Sequence, residues 1–266
     1  MSTKEYKEAI GLAHYYDIAE RYDDMAAEMT KAIKIIASEK QELSVSARNS
    51  FSLAFKNLVS SRRSSWRVLY AEKQKIEEKS PNEPHGIDSI LNKVEKELLG
   101  YCDDVLEIID KYILTDSDNH SLSHNVFFLK MKGDYYRYKA EILHGEEEKE
   151  VSQLALESYK KAKTQAEGLN LTDPIRLGLY LNFSVFQYEI LDNLEEACKI
   201  ARNAFDSAIV ELDTLTEDYY KDSTLIMQLL RDNLTLWTSR VDPNNNNINN
   251  SNNANHLRED NNSELL

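Results

Sequence analysis

The feature that most constrains this chain is its lack of turn-making residues. Only 7 of its 266 residues are glycine and 4 are proline, and Pro81 and Pro84 share one short stretch. A fold of many tight turns needs far more glycine and proline than this, which argues against an all-β architecture. Residues of good helix propensity fill the space instead: Ala, Leu, Glu, Lys and Gln. The expectation is an all-α protein, long enough to bury a substantial core.

Helical periodicity divides the chain into nine segments: roughly 4–17, 20–36, 44–75, 84–112, 121–143, 149–168, 173–190, 192–212 and 216–238. The lengths of the third and fourth favour an antiparallel bundle over a compact knot of short helices. Their breaks have chemical causes. Ser80-Pro81-Asn82-Glu83-Pro84 interrupts helix, Thr115 to His120 is a turn cluster, and Thr172-Asp173-Pro174 reads as a cap with proline fixing the first turn. From Asp242 the composition changes, with eleven asparagines from Asn244 to Asn262 inclusive. Such a segment cannot bury enough apolar area to offset its ordering entropy. The expected organisation is a helical domain over 1–241 and a disordered Asn-rich tail over 242–266.

Charge and motifs exclude several functions. The formal charge of −14 disfavours nucleic acid and anionic membrane surfaces as partners. The two cysteines, Cys102 and Cys198, form no CxxC pair and make no disulfide framework. The start of the chain has no apolar signal region, so a reducing compartment is expected, the cytoplasm or the nucleus. Gly-rich phosphate or dinucleotide loops, HExxH and GxSxG are absent, so no catalytic residue, cofactor or enzymatic activity is expected. His120 and His124 lie close together but would need further ligands for a metal. The Asp116-x-Asp118 run lacks the glycine and glutamate that a calcium loop needs.

The residues that suggest function are cations on helical faces. Lys56 and Arg63 are seven apart on the third segment, and Lys130 and Arg137 repeat that spacing on the fifth. Tyr138 adds a hydroxyl beside Arg137, while Asp134 and Glu141 stand at i−3 and i+4, placed to hold its guanidinium. Two such pairs suit a dianionic phosphate, and an exposed basic site of this kind would contribute little to stability. A second surface is apolar: Leu181, Val185 and Glu189 on one stripe, with Ile226, Leu229, Asn233 and Trp237 on another. Such stripes are usually core. The asparagines Asn182 and Asn233 are the odd members, because each amide needs partners that an extended peptide backbone would supply.

With those residues in view, the chain resembles the 14-3-3 family. The resemblance is carried by Arg21-Tyr22-Asp23-Asp24-Met25, by Lys56-Asn57-Leu58-Val59 through Arg67, and by Leu129 through Tyr138. It continues in Pro174-Ile175-Arg176-Leu177-Gly178 with Leu181 through Phe186, and in Lys221 through Trp237. It implies a nine-helix protomer that dimerises through its first four helices and holds phosphoserine or phosphothreonine segments of client proteins in a concave groove. Lys56, Arg63 and Arg137 would hold the phosphate with Tyr138, Asn182 and Asn233 would clamp the peptide backbone, and Leu181, Val185, Ile226, Leu229 and Trp237 would line the opposite wall. Arg21 would face Glu97 of a second copy, or of a paralogue, and Asp24 would face Lys93. Ile90 stands where the family commonly has a dimer-contacting tyrosine. Ser65, in Arg62-Arg63-Ser64-Ser65, and Ser263 near the end of the tail are candidate phosphorylation sites, the latter allowing the tail to bind the protein's own groove. The competing reading is a tetratricopeptide-like scaffold for unphosphorylated peptides, against which stands the absence of a 34-residue repeat.

Overall fold

A computed structural model describes residues 2–79, 86–115, 120–212 and 217–239, with only the backbone for residues 2, 3 and 217–219. The described residues form nine α-helices and no strand: α1 Ser2–Ile18, α2 Tyr22–Ser38, α3 Val45–Lys79, α4 Ile87–Ile108, α5 Leu122–Ala140, α6 Glu146–Ala166, α7 Pro174–Glu189, α8 Leu194–Glu211 and α9 Glu217–Ser239. These match the nine expected segments, and the fold is all-α. One π-helical turn, Ile109–Ile113, extends α4 and has no counterpart in the periodicity. The Asn-rich tail and Ser263 lie outside the described residues.

With glycine so scarce, several helices end on other residues. Glu20 follows α1 at φ 53°, Lys40 follows α2 at φ 53° and Asp192 follows α7 at φ 48°. The left-handed turn costs an L-residue roughly 1–2 kcal/mol. It lets the chain close the helix end, as when the Arg21 N–H donates to the Tyr16 carbonyl at 2.8 Å and that of Gln41 to the Ile36 carbonyl at 3.3 Å. The Thr172-Asp173-Pro174 cap forms as expected. Asp173 accepts from the N–H of Ile175 at 2.8 Å, with Pro174 opening the helix.

The chain divides into two compact units, residues 1–121 and 122–266. In the first, α1 packs on α2 and α3 on both α2 and α4. Met25, Met29 and Ile33 repeat every four residues along α2, and all are buried, as are Phe51 and Phe55 on α3 and Leu98, Cys102 and Val105 on α4. Trp66 fastens α3 to α4 by donating Nε1–H to Glu95 at 2.8 Å.

In the second unit α5 packs on α6 and α7, and α7 on α8 and α9. One core cluster joins Tyr159 and Ala162 of α6 to Val126 of α5 and to Phe183 and Phe186 of α7. Another joins Leu181 and Val185 of α7 to Ala201 of α8 and to Ile226, Leu230 and Trp237 of α9. The C-terminal carbonyls of α6 find a donor in Arg176, whose guanidinium reaches Ala166 O at 3.0 Å and Leu169 O at 2.7 Å.

Candidate functional site: a buried charge cluster on α5

Lys130, Asp134 and Arg137 are three or four residues apart on α5, so they stack on one face. That face is not open to solvent. Lys130 is 7% exposed, Asp134 5% and Arg137 2%. Arg63, on α3 of the first unit, is likewise only 5% exposed, while Lys56 is half-buried. The expectation of an exposed basic site with little structural weight is therefore corrected. Charged residues are buried this deeply only when they are paired.

Asp134 supplies the pairing. Its Oδ2 accepts from Lys130 Nζ at 3.1 Å. Its Oδ1 accepts from the Tyr159 hydroxyl at 2.6 Å and from Asn182 Nδ2 at 2.9 Å. Three elements, α5, α6 and α7, thus converge on one carboxylate. Arg137 is held more loosely. Its guanidinium lies 3.8 Å from Asp134 and 3.6 Å from Glu141, and over the Tyr138 ring at 4.8 Å. Those carboxylate contacts are longer than hydrogen bonds, and Arg137 Nε has no hydrogen-bond partner. Burial works against the Arg137 charge. The groups packed around it, Tyr159, Tyr138, Asp134 and Glu141, more than offset this, so its pKa lies well above the ordinary value. The result is a permanent buried cation whose N–H groups are incompletely satisfied, the condition in which an anion oxygen is a favourable neighbour.

The amide clamp is half-built. Asn182 is 7% exposed, and its Nδ2 is already committed to Asp134. Asn233 is half-buried and makes no side-chain hydrogen bond among the described residues. On the apolar wall, Leu181, Val185 and Leu229 are 3%, 6% and 7% exposed. Ile226 and Trp237 are 0% and 2% exposed inside the second unit's core, Trp237 stacked on Tyr188 at 5.0 Å between ring centroids. All five expected wall residues belong to one buried cluster of the second unit. Leu225 and Leu236, the sequence neighbours of Ile226 and Trp237, are 42% and 36% exposed and are apolar side chains that α9 offers to solvent. Glu189 is exposed at the end of α7.

The family model for 14-3-3 protein matches residues 12–238. The chain belongs to the 14-3-3 family. It is 58% identical over 245 residues to a 14-3-3 protein homolog of Encephalitozoon cuniculi, covering 92% of this chain and 95% of that protein. It is 50% identical over 242 residues to 14-3-3-like protein C of Glycine max, covering 90% and 92%. Against 14-3-3 protein beta/alpha of Mus musculus it is 48% identical over 238 residues, covering 89% and 94%. Membership of the 14-3-3 family supports an adaptor role, with client proteins as partners.

Other expected site residues fall in the first unit, where their contacts are local. Arg21 pairs with Asp24 of its own chain, Nε donating at 2.6 Å. Glu97 accepts from Arg62 at 3.2 Å. Ile90 and Lys93 are exposed on α4. Ser65 is exposed, with its hydroxyl donating to the Ser61 carbonyl at 3.0 Å. Among the described residues no group of three or more His, Cys, Asp or Glu is placed to hold a metal, and no helix is long and apolar enough to cross a membrane.

Two residues of the site escaped the sequence reading. Tyr159 brings its hydroxyl from α6, and nothing in the pattern of α6 distinguishes it from other core aromatics. Gly133 carries the available signal: a glycine in mid-helix is unfavourable unless something approaches closely.

Proposed function

We propose that this 14-3-3 chain is a dimeric adaptor that grips phosphoserine or phosphothreonine segments of client proteins and regulates their activity, location or assembly. The observation that carries this reading is the Arg137 guanidinium, buried at 2% exposure yet without hydrogen-bond partners for Nε, beside an Asn182 amide locked onto Asp134. A phosphate would complete the donors of the first, and a peptide N–H would meet the carbonyl oxygen of the second. In this reading Lys56, Arg63 and Tyr138 act on the same phosphate, Asn233 meets the peptide backbone, and Leu225, Leu229 and Leu236 carry the neighbouring apolar side chains.

The test is titration of one peptide with and without its phosphate. Hydrogen bonds to charged groups are worth about 1.5–3 kcal/mol, so Lys56→Glu should weaken phosphopeptide binding at least ten- to a hundred-fold. Equal binding of both peptides would favour the tetratricopeptide-like scaffold. Parent-like binding by Lys56→Glu would remove that residue from the pocket.

The proposal extends to assembly and control. The first unit forms the dimer seam, with a second copy or a paralogue, and Ser65, solvent-exposed on α3, is a phosphorylation site at that seam. Phosphate there adds nearly two negative charges and should favour monomers, which sedimentation of Ser65→Glu would detect. Ser263, when phosphorylated, would let the tail compete with clients for the groove. Tighter client binding by a chain ending at Asp242 than by the phosphorylated full chain would support this. In this reading the protein works in the cytoplasm or the nucleus, with no nucleic-acid or membrane-inserted partner.

A further inference from the structure

Asp134 is the carboxylate on which Lys130, Asn182 and Arg137 depend, so what fixes Asp134 fixes the site. Its Oδ1 accepts two hydrogen bonds, from the Tyr159 hydroxyl at 2.6 Å and from Asn182 Nδ2 at 2.9 Å. Lys130 occupies the other oxygen at 3.1 Å. Lys130 and Asp134 lie on one helix and move together. Asn182 comes from α7 and presents its free carbonyl oxygen only if its amide stays where it is. Tyr159 comes from α6 and has no solvent exposure.

The ring of Tyr159 is held in place on several sides. It stacks on Phe183 with centroids 5.3 Å apart and 17° between planes, and lies 5.3 Å from Phe186 at a tilt. On its remaining flank is Gly133, one residue before Asp134. A Cβ at Gly133 would come within 2.7 Å of Tyr159 Cε1 and 2.8 Å of Cδ1 and Cζ, closer than carbon atoms approach. The mid-helix glycine thus has a reason. It admits the ring to the depth at which the hydroxyl meets Oδ1.

We infer that Tyr159 is a positioning residue of the pocket, seated by Gly133, whose hydroxyl pins Asp134 and thereby sets where the Arg137 guanidinium and the Asn182 amide point. The same carboxylate oxygen then links the phosphate-facing cation to the backbone-facing amide, fixing the distance between two things a peptide must present. Burial and the adjoining Asp134 charge hold the phenol far above its ordinary pKa, with Arg137 pulling the other way, so it stays a donor across the working pH range. What the pocket binds rests on the function proposed above, whereas the pinning of Asp134 does not.

Tyr159→Phe keeps the packed ring and removes only the hydroxyl. In the nitrogen-labelled, ligand-free full chain, the side-chain amide signals of Asn182 and the Nε–H signal of Arg137 should shift or broaden, with little change in backbone signals of the first unit. Affinity for a phosphoserine peptide should fall about tenfold, the loss of one hydrogen bond to a charged group. Gly133→Ala, which displaces the ring but keeps the hydroxyl, should move the same signals. In the parent chain the hydroxyl proton of Tyr159 should exchange slowly and show a cross-relaxation peak to the Asn182 amide protons. That measurement holds whether or not either variant folds, and the missing peak would overturn the inference. Unmoved side-chain signals would also overturn it, even with weakened binding, since a merely structural tyrosine would lower affinity without turning those groups. Moved signals with unchanged phosphopeptide affinity would overturn its role in the pocket. A parent chain that binds no phosphopeptide would sink the proposed function instead, and the side-chain signals would still decide the pinning.

Discussion

The same residue types do two different jobs in the two units. In the second, Lys130 and Asp134 have side chains 9% and 7% exposed, and Asp134 takes hydrogen bonds from three helices. In the first, Arg21 and Asp24 pair at i,i+3 with side chains 64% and 38% exposed, along a cleft of about 590 Å³ that also includes Asn57, Ser61 and Arg62. Both are acid–base pairs one helical turn apart, and both would look alike in a list of ion pairs. They differ in the cost of separation. A buried charge that loses its partner must stay desolvated and uncompensated, while an exposed one is rehydrated. Specific geometry can therefore be stored only in the buried cluster, and the exposed rim stays free to exchange partners.

Asp134→Ala would break this contrast most severely. It strands Lys130 and Arg137 and removes the acceptor of Tyr159 and Asn182. Removing one partner of a buried ion pair costs about 3–5 kcal/mol. Urea unfolding of the variant should show a loss of that size, and a loss under about 1 kcal/mol would mean that solvent reaches the cluster.

A second contrast lies within α9. Trp237→Ala empties a core site and should cost about 3–5 kcal/mol of stability. Leu236→Ala, one residue earlier, should stay within about 0.5 kcal/mol. On phosphopeptide affinity the milder variant should be the one that specifically weakens binding, with the fold intact. If both destabilise equally, Leu236 belongs to the core and not to the binding face.

The sequence showed more of the fold than of the site, for physical reasons. Helix positions follow from local propensity and from breakers such as Pro174, whose effects act within a few residues. The π-turn at Ile109–Ile113 and the left-handed ends at Glu20, Lys40 and Asp192 have no glycine or proline to announce them. On α5 the spacing identified Lys130, Asp134, Arg137 and Glu141 as one face, because helical period fixes that much. It did not reveal that the face is buried, since burial depends on α6 and α7. Asn182 reaches Asp134 across 48 residues. On α9, Leu225 and Leu236 directly precede Ile226 and Trp237, so apolar residues occur on adjoining faces and the period alone does not say which pair faces inward.

The first unit has one polar link that sharpens the comparison by pH. Tyr101 donates to Asp23 at 2.6 Å and takes a hydrogen bond from Arg62 at 3.3 Å, with the guanidinium 5.0 Å above its ring. Burial, reinforced by the hydrogen bond to Asp23 and opposed by Arg62, raises its pKa to about 12. A tyrosine ionises near 10 when unfolded. With the folded pKa the higher of the two, its stabilising contribution is complete below about pH 10 and disappears as pH rises towards 12. Alkaline titration of tyrosinate absorbance should show late-titrating tyrosines, of which Tyr101→Phe removes one. The same substitution should flatten the fall in stability over that window. An unchanged titration curve would show that the Asp23–Tyr101–Arg62 chain does not persist in solution.

The smallest effect is expected at Arg21. Its pair with Asp24 is local and exposed, so Arg21→Ala should change protomer stability by only about 0.2–1 kcal/mol, and salt should shrink even that. The proposed dimer gives the residue a second role. In the isolated chain Arg21 is occupied by Asp24 and Glu97 by Arg62, so pairing across a seam requires both local partnerships to be exchanged. Exchanging one exposed pair for another yields little net free energy. Apolar burial must then supply most of the association, and Tyr15, Ile18 and Ile90, 68%, 68% and 54% exposed in the protomer, are among the groups available for it. Sedimentation of Arg21→Ala should therefore show nearly parental association, while Ile90→Asp weakens it strongly. The reverse order, with association dependent on Arg21 and indifferent to Ile90, would mean that charge holds the copies together and that the first unit's rim resembles the buried cluster after all.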